Sequence, residues 1–225
     1  AASDVYKRQV DTLIEYNNIG EIIPGLAETW EVSEDQLTWT FHLRQGQKWY
    51  DYTGAEVGEV TANDFVAAAK YVLTPEYDSS LEYMFEEANI LNAAAYYAGE
   101  VTDFAEVGVK AVDDYTLQYT LTEECPYFMT MIADPCFTPM SRSYYLSQGG
   151  VFGKDEYTNA MSSNTYTYGT DQDHIAYCGP YLCTNVTDKN SINYIANESY
   201  WNADNVQIKA VNFIYDDGSD VTREY

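Results

Sequence analysis

Apolar and polar residues alternate strictly along residues 37–44, with Trp39 and Phe41 on the apolar side. A period of two in β-favouring residues is typical of a half-buried strand. The polar residues 33–36 before it indicate a turn, so a hairpin with a first strand at residues 29–32 is predicted. The same criteria predict further strands at residues 107–111, 115–121, 181–186, 191–196 and 206–215.

Helical spacing replaces this alternation after residue 60. Thr61 is a candidate N-cap with Asp64 three residues later, which is a short variant of the capping box. Apolar residues follow at helical spacing until Pro75 ends the helix. A second helix is predicted over residues 80–97 and a short one over 125–132. Residues 45–60 are predicted to be a loop, 135–139 an extended segment, and 147–173 an irregular insertion.

The predicted elements come as hairpins of strands and small groups of helices, without a repeat. This order favours an α+β fold with mixed, mostly antiparallel sheets. At 225 residues the chain can bury a substantial core as one large domain or two small ones.

Charge narrows the classes of partner. The 11 basic and 36 acidic residues give a net charge of −25. Such a field repels phosphate backbones and anionic lipid headgroups, so nucleic acids and membrane surfaces are excluded as partners. A neutral or cationic ligand fits better, although a solvated acidic surface that only maintains solubility explains the same charge.

The four cysteines, Cys125, Cys136, Cys178 and Cys183, leave two alternatives open. They could form two disulfides, or they could be small buried side chains. Their spacing fits no zinc site, and we expect no metal and no cofactor. His174 beside Asp171 and Asp173 is interpreted as a solvated loop, and residues 216–220 as a turn.

Motifs of catalysis and nucleotide binding are absent from the sequence: there is no G-x-S-x-G, H-E-x-x-H, P-loop or G-x-G-x-x-G. Carboxylate pairs for glycoside hydrolysis carry no information in a chain with 36 acidic residues. Two glycosylation sequons begin at Asn185 and Asn197, a short pattern that often occurs by chance.

Seven segments, in order, resemble the oligopeptide/dipeptide-binding proteins, family 5 of the bacterial extracellular solute-binding proteins. The family pattern reads approximately P-G-L-A-E-S-W, then T-F-x-L-R-x-G-V-K-W-S-D-G, then T-A-x-D-F-V. Residues 24–30, 40–49 and 61–66 match it, and residues 107–117, 125–128, 179–181 and 197–201 resemble later elements. Residues 49–54 stand where the family has W-S-D-G, and residues 56–60 look like a short insertion.

The resemblance implies a periplasmic-binding-protein-like fold of type II, cluster C, with an extra subdomain. Residues 10–172 would form mainly that subdomain, and residues 173–225 would begin the core lobe. Residues 1–9 match nothing in the family and are expected to be a foreign leader or an artefact. Family members are considerably longer, so we expect this chain to be an N-terminal fragment without the C-terminal lobe.

By the same resemblance, the protein would be a monomeric, non-enzymatic carrier outside the cytoplasmic membrane, in the periplasm or as a surface lipoprotein. It would capture peptides or other small solutes by lobe closure and deliver them to the permease subunits of an ABC importer. Tyr77, Tyr177 and Tyr181 are the candidate ligand-binding residues, because tyrosine offers an apolar face and one hydroxyl. Two alternatives remain, a glycan-binding surface module and a carboxylate-based hydrolase.

Overall fold

The structure is a computed structural model that describes residues 9–152, 165–187 and 190–214. Within these ranges its strands pair only in the antiparallel sense, and its helices lie between the hairpins. The predicted α+β class is therefore confirmed. None of the helices in the described ranges is both long enough and apolar enough to cross a membrane.

A four-stranded antiparallel sheet forms the centre of the larger core. Its strands are β3 (Ala27–Val32), β4 (Thr38–Leu43), β7 (Val109–Asp113) and β8 (Thr116–Thr120), in the order β3-β4-β8-β7. Phe41 faces Leu117 across β4 and β8, and both side chains are fully buried. Burial of one such side chain stabilises the fold by about 1.5–3 kcal/mol. Both hairpins of this sheet were predicted from the alternation.

The most regular helix is α1 (Ala62–Val72), which packs on β7 and β8. Its N-terminus is fixed by one arm of a capping box, since the Thr61 N–H donates to Asp64 Oδ2 at 2.8 Å. Leu73 caps the other end, and a 3₁₀ turn begins at Pro75. The predicted helix is confirmed at both ends.

The prediction of one helix over residues 80–97 was wrong. The chain forms two short helices, α2 (Tyr83–Glu87) and α3 (Ala93–Tyr97). Between them Asn89 and Asn92 both adopt left-handed backbone conformations, with φ of 57°. The intervening Ile90 forms a β-bridge with Leu121. Asparagine tolerates this conformation, so a tertiary bridge interrupts an otherwise helical stripe.

Residues 45–60 are not a simple loop, as the sequence had indicated, because they contain the hairpin of β5 (Lys48–Tyr50) and β6 (Glu56–Glu59). Tyr50 also exchanges both backbone hydrogen bonds with Tyr177, at 2.8 and 2.7 Å. The distant segment around Tyr177 thus supplies part of the backbone hydrogen bonding of β5. The hairpin of β1 (Ile14–Tyr16) and β2 (Ile22–Pro24) was not predicted either.

Two further short elements differ from expectation between residues 125 and 150. Helix α4 (Phe128–Met131) lies within the predicted 125–132 segment, but residues 135–139 include a 3₁₀ turn, Pro135–Phe137, rather than only extended chain. The Asp134 carboxylate accepts the Cys136 N–H at 3.0 Å and nucleates that turn. Helix α5 (Arg142–Ser147), capped by Ser141, was not predicted.

The predicted insertion at residues 147–173 is described only at its two ends. Residues 153–164 lie outside the described ranges. The ends contain no strand and only one 3₁₀ turn, Gln172–His174, within the described residues. They meet where the Thr167 N–H donates to the Gln148 carbonyl at 2.8 Å.

A three-stranded sheet closes the described chain, with the order β11-β10-β9. Its strands are β9 (Tyr181–Thr187), β10 (Ser191–Ala196) and β11 (Ala210–Ile214). The first two match the predicted strands, whereas the predicted 206–215 strand begins four residues later. This sheet has its own small core around Tyr177, Tyr181 and Tyr194, against which Tyr50 and Tyr52 pack. The predicted turn at residues 216–220 lies outside the described residues.

Candidate ligand-binding region

A buried carboxyl group joins the beginning of the described chain to its C-terminal part. Asp11 is 4% exposed. Its Oδ2 accepts the indole N–H of Trp201 at 2.7 Å and the hydroxyl of Tyr200 at 3.0 Å. The same hydroxyl lies 3.2 Å from Glu15 Oε1. The Tyr200 hydroxyl therefore lies within hydrogen-bond distance of both carboxyl groups.

The electrostatics of this cluster follow from its burial. Desolvation, reinforced by the neighbouring Glu15 carboxylate, raises the pKa of Asp11 to about 8. The hydrogen bonds from Trp201 and Tyr200 favour the ionised form and limit the shift. Asp11 therefore holds a proton at neutral pH and helps to keep two distant segments together.

Arg44 covers the outer face of this cluster. Its guanidinium carbon lies 4.0 Å from the centroid of the Trp201 ring. Its Nε donates to the Gly25 carbonyl at 2.7 Å, and its Nη1 lies 3.3 Å from Glu28 Oε1. Three of the resembling segments, 24–30, 40–49 and 197–201, thus meet at one place. Their residues hold the architecture together through contacts with one another.

A second buried acid, Asp64, holds helix α1 against its neighbouring elements. Besides capping α1, its Oδ2 accepts the indole N–H of Trp49 at 3.0 Å, and its Oδ1 accepts the Arg142 backbone N–H at 2.8 Å. Burial raises the pKa of Asp64, while these hydrogen bonds oppose the shift. This one side chain connects β5, α1 and α5.

Two of the three candidate tyrosines share the smaller core. Tyr177 is fully buried, and its hydroxyl donates to the Gln172 carbonyl at 2.9 Å. Tyr181 is 8% exposed, and its hydroxyl donates to the Ile208 carbonyl at 3.0 Å. Both hydroxyls are therefore used inside the chain. Their assignment as ligand contacts stays a prediction.

Tyr77 lies apart from this pair, in a separate aromatic group. Its ring stacks on Tyr71 with centroids 4.4 Å apart, and its hydroxyl bonds to the Val151 carbonyl. The Tyr145 hydroxyl lies 3.3 Å from that of Tyr77. Tyr77 is half-buried, and the exposed side chains of Leu81 and Tyr83 follow it. Its role in the cleft also stays a prediction.

A cavity of about 490 Å³ lies beside Tyr181, between the β5–β6 hairpin and the three-stranded sheet. Its walls combine apolar and polar groups, including Leu182, Ile195, Glu198 and Lys209. That volume is in the range of small-molecule sites. The sequon residue Asn197 also lines it but is itself buried, with its amide donating to the Gly179 carbonyl at 3.1 Å.

Metal-ligating and nucleophilic groups do not converge among the residues that the structure describes. His174 Nδ1 lies 2.6 Å from Asp171 Oδ1, and this carboxylate also accepts the Asp173 N–H at 2.9 Å. These contacts form a capped turn. No group of three or more His, Cys, Asp or Glu side chains in the described ranges could hold a metal ion.

All four cysteines are free thiols, which decides between the two alternatives left open by the sequence. Cys125 is half-buried and the other three are buried. Cys178 belongs to the larger core and Cys183 to the smaller one. The Gly-Pro between them therefore does not fold them into a bridge.

Sequence reasoning missed Asp11, the acid at the centre of this region. A signal was available, because Asp11 and Thr12 interrupt an apolar stretch from Val10 to Ile14. An acid within an apolar run is buried only when it has partners. Its partners, however, lie about 190 residues away, since the separation of Asp11 and Trp201 is 190 positions.

Comparison with known proteins relates the chain to oligopeptide-binding proteins. The chain is 39% identical over 212 residues to the oligopeptide-binding protein AmiA of Streptococcus pneumoniae, covering 94% of this chain and 29% of that protein. The substrate-binding domain of an oligopeptide ABC transporter from Bacillus anthracis superposes with a TM-score of 0.79 at 28% identity, covering 94% of this chain and 36% of that one. Peptide-bound OppA of Listeria monocytogenes superposes with a TM-score of 0.78 at 26% identity, covering 94% and 37%.

These relatives are binding proteins, and nothing in the similarities supports a glycan-binding module or a hydrolase. The chain spans less than a third of the length of the curated oligopeptide-binding proteins of Streptococcus that it matches, at 29% to 31%. The family model "Bacterial extracellular solute-binding proteins, family 5 Middle" matches residues 21–224. The chain belongs to family 5 of the bacterial extracellular solute-binding proteins.

Proposed function

We propose that this chain is part of the substrate-binding component of an ABC importer that captures oligopeptides. The observation that carries the proposal is its superposition, over nearly its whole length, on an OppA that was solved with a bound peptide. The protein would act outside the cytoplasmic membrane, in the periplasm or as a lipoprotein, and deliver peptides to the permease. It would do so as a monomer and without catalysis, since its relatives are named for binding.

The physical basis of capture would be closure of two lobes around the peptide backbone. Residues 10–172 would contribute mainly the extra subdomain, and residues 173–225 the beginning of the core lobe. The described residues form three apolar clusters, and their distribution supports this division, because a small one around Tyr145 and the largest one both lie mainly before residue 173. The larger core draws mostly on residues 10–137, and the smaller core, the third cluster, gathers around Tyr177, Tyr181 and Tyr194.

The three tyrosines would act at the border of the cleft in different ways. Tyr77, half-buried and followed by exposed Leu81 and Tyr83, would contact the ligand directly. Tyr177 and Tyr181, whose hydroxyls bond to backbone carbonyls, would hold the wall behind the 490 Å³ cavity. Apolar walls with a few polar groups suit peptides of varied sequence.

Isothermal titration of the full-length protein with mixtures of di- to hexapeptides tests the proposal. We expect binding of peptides and no binding of oligosaccharides of similar size. The 225-residue chain alone should bind peptides at least tenfold more weakly, because a cleft needs both of its walls. Absence of peptide binding by the full-length protein, or full affinity in the isolated chain, would contradict it.

Replacing Tyr77 by alanine in the full-length protein tests the tyrosine assignment. The affinity for peptides should fall about three- to tenfold, while Tyr127→Ala, at a 71% exposed tyrosine, should leave it unchanged. If both variants bind peptides with equal affinity, Tyr77 does not contact the ligand. The proposal that the protein binds peptides would not be affected.

A further inference from the structure

Three basic side chains converge on one surface cavity of about 510 Å³. They are Lys70 on α1, Lys110 on β7 and Arg142 at the start of α5. The described ranges contain six of the chain's 11 basic residues, the others in those ranges being Arg44, Lys48 and Lys209. Half of the described basic residues therefore line a single cavity, in a chain whose net charge is −25.

These three cations form no ion pair within the described part of the chain. Arg44 and Lys48, by contrast, lie 3.3 Å from Glu28 and 3.2 Å from Glu56, respectively. Among the described residues, Asp103 is the one acidic side chain that lines the cavity, so the described lining carries three positive charges and one negative charge. A positive cavity in a strongly acidic protein attracts an anion selectively.

Besides these charged residues and Asn63, the described lining of the cavity is apolar. Val66, Phe104, Val109 and Phe152 line it. The Lys70 ammonium lies 5.6 Å from the centroid of the Phe152 ring and 6.0 Å from that of Phe104. These distances are at the outer limit of a cation–π contact, so the rings border the charge and leave its donors available. An anion that carries an apolar group would contact both the basic side chains and the apolar side chains of the cavity.

The three cations are held by elements whose relative positions are fixed. Helix α1 packs on β7, and the Asp64 carboxylate on α1 accepts the backbone N–H of Arg142 at 2.8 Å. The packing fixes the backbone positions of the three cations, while Lys110 and Arg142 are exposed and can reach a ligand from solvent.

We propose that this cavity binds a small carboxylate that carries an aromatic or alkyl group. The carboxylate would lie among Lys70, Lys110 and Arg142, and the apolar group against Phe104 and Phe152. The lining of this site includes none of the three tyrosines assigned to the peptide-binding cleft. It would make the protein responsive to an organic acid as a second ligand.

Titration of the 225-residue chain with phenylacetate, followed by NMR chemical shifts and calorimetry, tests the proposal. We expect saturable binding, with shifts concentrated at Val66, Phe104 and Phe152. The variants Lys70→Gln, Lys110→Gln and Arg142→Gln should each weaken binding about three- to tenfold, because each removes a charged donor. The matched control is Lys48→Gln, a basic residue that lines neither this cavity nor the 490 Å³ cavity, and this variant should bind phenylacetate like the parent chain.

Two further ligands test separately whether the negative charge and the apolar group of the ligand are needed for binding. Phenylacetamide, which has the same ring without the charge, should not bind, and inorganic phosphate should bind more weakly than phenylacetate. Equal loss of affinity in Lys48→Gln would show diffuse electrostatic attraction and overturn the site, as would equal binding of phenylacetamide. Preference for phosphate would overturn the assignment to a carboxylate with an apolar group. Circular dichroism confirms that each variant is folded, and absence of saturable phenylacetate binding in the parent chain would end the proposal.

Discussion

The indole N–H of Trp201 donates to Oδ2 of Asp11 at 2.7 Å, across a separation of 190 positions in the chain. Asp11 is almost fully buried, and the Arg44 guanidinium lies over the Trp201 ring. The contact ties the segment before β1 to the segment after β10. Residues that resemble the family's sequence pattern therefore serve here to hold distant parts of the chain together.

Asp11 makes the stability of the chain depend on pH. Its folded pKa of about 8 lies above the ordinary 3.8, so between these values the folded chain binds more protons than the unfolded chain. The free energy of unfolding should therefore be highest below pH 4 for this group and fall as the pH rises towards 8. In Asp11→Asn, which cannot ionise, this decline should be much reduced. Urea denaturation at several pH values measures both slopes.

The control for that experiment is Glu34→Gln, which removes the same charge from an exposed turn. Its decline with pH should match that of the parent chain, since general repulsion among acids is nearly unchanged. A slope in Asp11→Asn equal to that in Glu34→Gln would contradict the assignment to the buried carboxyl.

Asp64→Ala should destabilise the chain by about 2–4 kcal/mol. The substitution removes the acceptor for Trp49, for the Thr61 N–H and for the Arg142 N–H, and leaves a buried indole donor without a partner. Asp64→Asn, which keeps an acceptor oxygen, should cost less. Chemical denaturation measures the difference, and Asn63→Ala, at the adjacent exposed position, should change stability by less than about 1 kcal/mol.

Gly25→Ala should also be strongly destabilising, by about 2 kcal/mol or more. A Cβ at this position would lie 2.5 Å from the Thr12 carbonyl oxygen, which accepts the Leu26 N–H at 2.8 Å. The backbone segments at Thr12 and at residue 25 would have to move apart to make room for the methyl group. Gly46→Ala is the comparison, because its φ is 76° and its Cβ would meet nothing within 4 Å. It should cost only about 1 kcal/mol, so equal melting temperatures for the two variants would be evidence against the close approach.

All four cysteines should react with a thiol reagent without prior treatment with a reductant. Burial raises the pKa of the Cys136, Cys178 and Cys183 thiols, which suppresses the reactive thiolate. In the native chain a thiol reagent should modify half-buried Cys125 first and the other three only on unfolding. In denaturant all four should react. A count of two or zero would mean that disulfides form after all.

The local sequence pattern was sufficient to predict those helices and strands that are determined by residues close to one another in the chain. The alternation at residues 37–44 and 115–121 marked β4 and β8 because each has one buried and one more polar face. The Thr61 and Asp64 pair marked the start of α1, since the capping arm spans only three residues. The ordered segments between residues 24 and 201 also indicated the family, which the comparisons confirm.

Elements that depend on distant partners could not be predicted in the same way. The 80–97 stripe is helical by spacing, yet the Ile90 bridge to Leu121 breaks it. The β5–β6 hairpin lies in a stretch rich in glycine, where Tyr177 supplies two backbone bonds to Tyr50. The cavity of Lys70, Lys110 and Arg142 is equally invisible in the sequence, because its cations are spaced over 72 positions and meet only through packing of α1, β7 and α5.

The sequence by itself determined the α+β class, the main hairpins, the first helix and the membership in a solute-binding family, because period, caps and ordered motifs are properties of neighbouring residues. Only the tertiary structure decided which acids are buried, which hydroxyls are already used, and which cations stand together. Those properties arise from contacts between residues far apart in the chain. Burial and proximity, in turn, set the protonation of Asp11 and the charge of the cavity.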